Sequence, residues 1–349
     1  MKKTFTPLYS FNLLCFLILF FAISRCTAQS SYKVLNKFSV EGDGGWDYIF
    51  EDDASARLFV SHGTAVNVVD EKTGSLLGTI SGLKGVHGIA GAFELNKGFI
   101  SDGRDSSVTI FDLKTLAVIT KVKVTGANPD AILYDPFSHK VFTFNGRSSN
   151  ATVIDAATNA VVNTIPLEGK PEFSVTDGKG KIYVNIEDKG KICVINTLTM
   201  KVEQSWSVSP GKEPSGLAID NETHRLFSVC DNKLMVIVDA LSGKIITTLP
   251  IGENVDGVSF DTGKKRAYSS NGDGTMTVVQ EENADTFKVL ETVNTQKGAR
   301  TITLNNKTHH LFLPTAEYNP TPEKTKDNTK PRPSIKAKSF VILDLETIN

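Results

Sequence analysis

Short apolar runs of four to seven residues, rich in Val, Ile, Thr and Phe, alternate along most of this chain with clusters of Gly, Asn, Asp and Lys. That rhythm belongs to strands and tight turns rather than helices. It also repeats. A basic residue or histidine with an aromatic two places on recurs as Arg57 with Phe59, Lys97 with Phe99, Lys140 with Phe142, Lys181 with Tyr183, Arg225 with Phe227, Arg266 with Tyr268 and His310 with Phe312. The intervals are 40, 43, 41, 44, 41 and 44 residues. A second series, two apolar residues and then a polar one, ends on Asp70, Asp112, Asp155, Asn196, Asp239, Gln280 and Asp344. Two series in one register define seven copies of one unit.

The third copy shows the unit's content: apolar runs at 131–134, 141–144, 151–155 and 161–166, joined by turns such as Asn145-Gly146. Four short strands in 40 to 45 residues make a propeller blade, and seven blades close a ring. A solenoid of the same units would leave apolar ends exposed. The expected fold class is therefore all-β, a seven-bladed β-propeller of four-stranded blades. Blade seven, read at 301–304, 311–313 and 340–343, has no outer strand before the chain stops. Residues 31–40, with Tyr32 to Phe38 resembling the outer strands of other units, supply it, and the start of the mature chain completes the last blade.

The remaining residues fit around this ring. Residues 1–28 carry Lys2 and Lys3, an apolar stretch at 13–23, and Cys26-Thr27-Ala28 before Gln29, the pattern of a secretory signal with a small-residue cleavage site. The apolar stretch is too short for a span of about 20 residues, so the chain is expected to be exported, to the periplasm or the exterior, without a transmembrane span. Removal of the signal takes three positive charges from a net of −1 and leaves −4, which argues against a broad nucleic-acid footprint. The mature chain keeps Cys193 and Cys230, in strand-like runs of neighbouring units, and two buried thiols are favoured over a bridge. The second series steps by 41 to 43 residues until the last step of 64. The surplus falls in 314–338, a Pro-, Thr- and Lys-rich insertion with six basic and three acidic residues that reads as extended polar coil, a candidate docking arm or a tolerated insertion.

The repeat resembles the YVTN-type repeat of the YncE-like β-propeller family, related to WD40-like repeats. Lys181-Ile182-Tyr183-Val184-Asn185 is the fullest copy, followed by Val194-Ile195-Asn196 and the Gly211-Lys212-Glu213-Pro214 turn. The resemblance covers the mature chain. It implies an exported bacterial propeller but not one activity, because related propellers serve as binding proteins, electron-transfer partners and lactonase- or lyase-like enzymes, and one branch binds single-stranded nucleic acid. A charge of −4 confines that last role to local basic patches.

Candidate chemistry comes from aligning the inner strands. Asp47, His87, Asp130, Glu172, Ser215, Asp256 and Arg300 occupy one equivalent position, at intervals of 40, 43, 42, 43, 41 and 44, expected at the mouth of the central channel. Crowded carboxylates there require protons, a cation or Arg300 to neutralise them. Asp47, Asp130, Glu172 and Asp256 are candidate ligands for a divalent cation such as Ca²⁺, and His87 is the candidate catalytic acid or base. The alternative is a merely polar channel wall, with Arg300 as counter-ion for Asp256 and Asp47. The hairpins between second and third strands fall on the same face and bring Arg104 and Arg147, candidate grips for an anion. Trp46, beside Asp47, is a candidate stacking platform or a packing residue. His139, His224, His309 and His310 read as exposed turn residues. No haem-attachment, zinc-protease or nucleophile-elbow motif occurs. The leading expectation is a monomer that binds a protein or small-molecule partner through its funnel face. The alternative is a cation-assisted lactonase- or lyase-like enzyme.

Overall fold

The computed structural model of the 349-residue chain describes residues 1–3, 31–42, 44–323, 329 and 331–347. Residues 4–30, most of the expected export signal, lie outside the described residues, as do Lys324, Lys326, Asp327 and Lys330 of the insertion.

Seven antiparallel sheets of four strands each form the propeller. Blade one runs Trp46–Asp52, Arg57–His62, Ala65–Asp70 and Leu76–Ile80 from the axis outward, and five further blades repeat that order. Blade seven takes Thr303–Leu304, Leu311–Thr315 and Val341–Thr347 from the end of the chain and Tyr32–Ser39 from its beginning. Tyr32 pairs with Thr347 and Ser39 with Val341, antiparallel with one register shift between Val34 and Asn36. Tyr32 anchors this closure. It is 1% exposed, its hydroxyl lies 2.7 Å from that of Tyr268 in blade six, and Arg266 donates to it at 2.8 Å.

The two sequence series are two sides of one contact. Arg57 faces Asp70 across the second and third strands, as Lys97 faces Asp112, Lys140 Asp155, Lys181 Asn196, Arg225 Asp239 and Arg266 Gln280. Cross-strand pairs of this kind contribute about 0.2–1 kcal/mol each. The Asp of the second series also builds the next turn: the Asp70 carboxylate accepts the Lys72 and Thr73 N–H groups and the Thr73 hydroxyl. Gly74 follows with φ of +68°, a left-handed value glycine adopts freely. Asp112, Asp155 and Asp239 repeat the device. Second and third strands are buried almost throughout because a neighbouring blade covers each face, so Phe59, Phe99, Phe142, Phe227 and Phe312 are all fully buried.

Two readings change. The insertion is not coil at its ends: Asn319 donates to the Ser334 carbonyl and Lys336 to that of Glu317, each at 2.8 Å, and Tyr318 pairs with Ile335. Its first residues, Pro314 and Thr315, belong to a blade strand. His309 and His310 are not free turn residues either: His309 Nδ1 lies 2.8 Å from Asp261, and His310 Nδ1 2.6 Å from Asp344. Cys193 and Cys230 are separate buried thiols, each pushed up to about 12 chiefly by burial. Among the described residues no helix is long and apolar enough to cross a membrane.

Candidate functional site

The ring depends on a bulge. In six blades the inner strand pairs at Trp46, Val86, Pro129, Pro171, Pro214 or Val255 and then carries one extra residue before regular pairing resumes. The bulge re-aims the next residue, which is Asp47, His87, Asp130, Glu172, Ser215 or Asp256. Polar side chains of second strands fill the gap and tie the ring together. Asp47 N–H donates to Ser61 Oγ at 2.9 Å, and Gly88 N–H to Ser101 Oγ at 2.8 Å. The ties also cross to the next blade: Ser101 Oγ donates to the Asp130 carbonyl at 2.5 Å, Asn185 Nδ2 to that of Ser215 at 2.9 Å and Ser270 Oγ to that of Arg300 at 2.5 Å. Thr301 Oγ1 closes the circle on the Asp47 carbonyl at 2.6 Å.

Within the ring, each of the two cations engages two carboxylates. His87 Nδ1 lies 2.7 Å from Asp47 Oδ2 and 3.6 Å from Asp130 Oδ1. Arg300 donates through Nε to Asp256 at 2.8 Å, with Nη2 3.5 Å from Asp47. Ser215 Oγ donates to the Val255 carbonyl at 3.2 Å and so acts as a tether between blades. Lys170, absent from the sequence reading, pairs with Glu172 at 2.5 Å and also reaches Glu187. Burial lowers the proton affinity of His87, but the Asp47 hydrogen bond and the charges of Asp130, Asp47 and Glu172 outweigh it and push the imidazole up to about 9. Burial, then repulsion from Asp47, raises Asp130 to about 7; burial, then Asp130, raises Glu172 to about 8. Burial raises Asp256 to about 6 although Arg300 pulls the other way. The ring positions hold four carboxylates against two cations, with Lys170 alongside as a third.

Beneath it, Tyr48 of blade one and Phe173 of blade four meet across the axis, ring centroids 5.3 Å apart. Burial and the ring carboxylates hold Tyr48 well above the usual phenol range, so it stays neutral. Past these two rings lies an apolar cavity of about 420 Å³ lined by Phe50, Ile132, Tyr134, Val175, Ile219 and Phe260 among others.

Among the described residues Asp47, His87 and Asp130 are the one group of three whose ligand atoms all lie within 4.8 Å of one another. Glu172 and Asp256 of the expected cation set stand apart. Ca²⁺ takes six to eight oxygens, and two carboxylates plus an imidazole already engaged with Asp47 do not fit it. Trp46 is 6% exposed, packed on Phe340 and Tyr318 under the Arg300 guanidinium, so it serves as packing and not as an open platform. Arg104 and Arg147 are exposed on the funnel face, where Arg104 lies over Gly85 and Gly103 leaves room for the His87 ring.

No protein-family profile and no curated protein sequence matches the chain. Solved structures do. Hydrazine synthase of Kuenenia stuttgartiensis is 16% identical, TM-score 0.67, over 78% of this chain and 94% of that one. U3-55K and the WD40 repeats of RRP9 are each 10% identical, TM-score 0.73, over 90% of this chain and 98% of theirs. The likeness is one of fold, the seven-bladed β-propeller scaffold.

Proposed function

We propose that this is an exported propeller of the YncE-like kind that binds a ligand or partner through its funnel face, with the acidic ring recognising an organic cation such as an ammonium or guanidinium group. The observation that carries the reading is the make-up of the ring: four carboxylates, Asp47, Asp130, Glu172 and Asp256, stand at equivalent positions against two ring cations, His87 and Arg300, and burial first of all raises the proton affinity of Asp130, Glu172 and Asp256. An organic cation brings hydrogen-bond donors that a carboxylate ring lacks, without demanding the coordination number of a metal. Tyr48 and Phe173, ring centroids 5.3 Å apart beneath the ring, offer the cation aromatic faces.

Calorimetric titration with putrescine tests the assignment. Binding is expected to strengthen from pH 5.5 to pH 8 with release of protons, and to weaken at least tenfold in Asp130→Asn/Glu172→Gln. Equal affinity in that variant, or no binding at either pH, overturns it. Export is checked by the first residue of the mature protein, expected at Gln29; a protein retaining Met1 overturns that part.

One observation favours catalysis as the second reading. His87 is fixed through Nδ1 by Asp47 and is protonated at neutral pH, the state of a general acid rather than a base. Lactone hydrolysis lost in His87→Gln would establish it.

A further inference from the structure

Beside the ring, between blade six and the ordered hairpin of the blade-seven insertion, lies a second cavity of about 1010 Å³. That is the size of pockets that take small organic molecules, roughly 300–1,000 Å³. Gly272 and Gly298 line it. Gly298 has φ of +88°, and a Cβ there would come within 2.7 Å of the Tyr318 hydroxyl, so the Tyr318 ring rests on bare backbone. Pro320 and Pro333 add stiff apolar wall.

The charged groups lining this cavity are mostly of one sign. Lys297 and Arg332 are exposed, line it, and form no ion pair among the described residues. Arg300 commits Nε to Asp256 and Nη2 to the Trp46 carbonyl, leaving Nη1 without a partner among the described residues. The lining carboxylate, Glu317, is held by Lys336 at 2.7 Å. Two cations without an ion pair among the described residues, the free Nη1 edge of an Arg300 whose charge is shared with Asp256 and Asp47, and one neutralised carboxylate, next to an aromatic ring and two prolines, form a recognition set for an oxyanion with an apolar body. The adjacent ring has the opposite sign, and Arg300 belongs to both.

We propose that this cavity is a second ligand site, which binds a small organic molecule bearing a phosphate or carboxylate group through Lys297, Arg332 and the free edge of Arg300, with its apolar body against Tyr318.

Titration calorimetry on the whole chain tests this with inorganic phosphate, phenyl phosphate and benzoate as probes. Phenyl phosphate is expected to bind at least tenfold more tightly than inorganic phosphate, and benzoate against phenyl phosphate tells which oxyanion the site prefers. Lys297→Ala and Arg332→Ala should each weaken phenyl phosphate about tenfold, with the melting temperature unchanged because both side chains are exposed. Asp130→Asn/Glu172→Gln, which tests the cation ring, should leave phenyl phosphate binding intact, so the two sites succeed or fail separately. Absence of phenyl phosphate binding, or equal affinity in the Lys297→Ala/Arg332→Ala double variant, overturns the proposal. A fluorescence reading confirms location: in Trp206→Phe the remaining Trp46, packed on Tyr318, should change emission with phenyl phosphate, and a silent titration counts against the site.

Discussion

Glu281 should make the folded ring less stable as pH rises, and its replacement by glutamine should remove that effect. The residue lies in the third strand of blade six and is 4% exposed. Burial, with a further contribution from Asp220, raises its carboxyl from an ordinary 4.5 to about 7. A raised folded value means that the unfolded chain releases this proton first. The protonated form is tolerated equally below pH 4.5, stability then falls as pH climbs from 4.5 to 7, and the loss is complete above 7. The difference between 4.5 and 7 corresponds to about 3 kcal/mol, of which about 2.5 is lost between pH 5 and pH 8. For a chain of this size, with an unfolding entropy on the order of 0.7 kcal/mol per kelvin, that is roughly 4 °C in melting temperature. Glu281→Gln keeps the shape without the charge. Scanning calorimetry of both proteins should therefore show the variant melting roughly 4 °C above wild type at pH 8 and within about 1 °C at pH 5. A variant less stable than wild type by the same margin at both pH values would show that the carboxylate is ionised and held by Lys265, and would refute the reasoning.

Other outcomes follow from the same structure. Tyr32→Ala removes a buried ring and its hydrogen bonds to Tyr268 and Arg266, and should cost about 4 kcal/mol; deletion of 31–40 should lower the melting temperature further, and an unchanged melt would contradict closure by this strand. In Gly103→Ala the new Cβ would come within 2.6 Å of His87 Nε2. That should loosen the Asp47 bond and bring the imidazole below about 9, followed by histidine NMR titration; an unmoved titration would show that the ring has slack. Cys193 and Cys230, both held as thiols by burial, should resist iodoacetamide at pH 8 until the protein is denatured, and rapid labelling of the native protein would contradict their burial.

The blades and ring positions were legible because they repeat: one residue per unit at a fixed offset finds Asp47, His87, Asp130, Glu172, Ser215, Asp256 and Arg300 without a structure. What the offset does not carry is the bulge, since one additional residue in a strand leaves no compositional trace. Trp46, read as a packing residue or a stacking platform, is a packing residue: it faces the core while its neighbour Asp47 does not, the ordinary alternation of a strand. Tyr48 and Phe173 were missed for a different reason. Their meeting depends on two units about half a turn apart, and a repeat aligns units without saying which face each other. Lys170 lies two residues before its partner Glu172 but has no counterpart that forms a similar pair in other blades. The insertion's polar, proline-rich composition described its middle, while the order at Glu317–Asn319 and Ser334–Lys336 arises from pairing between segments 15 to 19 residues apart.

The hydrogen bonds that run from a second-strand side chain to the ring carbonyl of the following blade make the repeat and the working unit different objects. Replacing Ser101 alters the footing of Asp130, and replacing Ser270 that of Arg300. A blade transplanted whole would arrive with its own ring residue but hold that of its neighbour. The exchangeable cassette for redesign is therefore a second-strand residue together with the inner strand of the next blade, and specificity at the mouth can be rewritten one junction at a time.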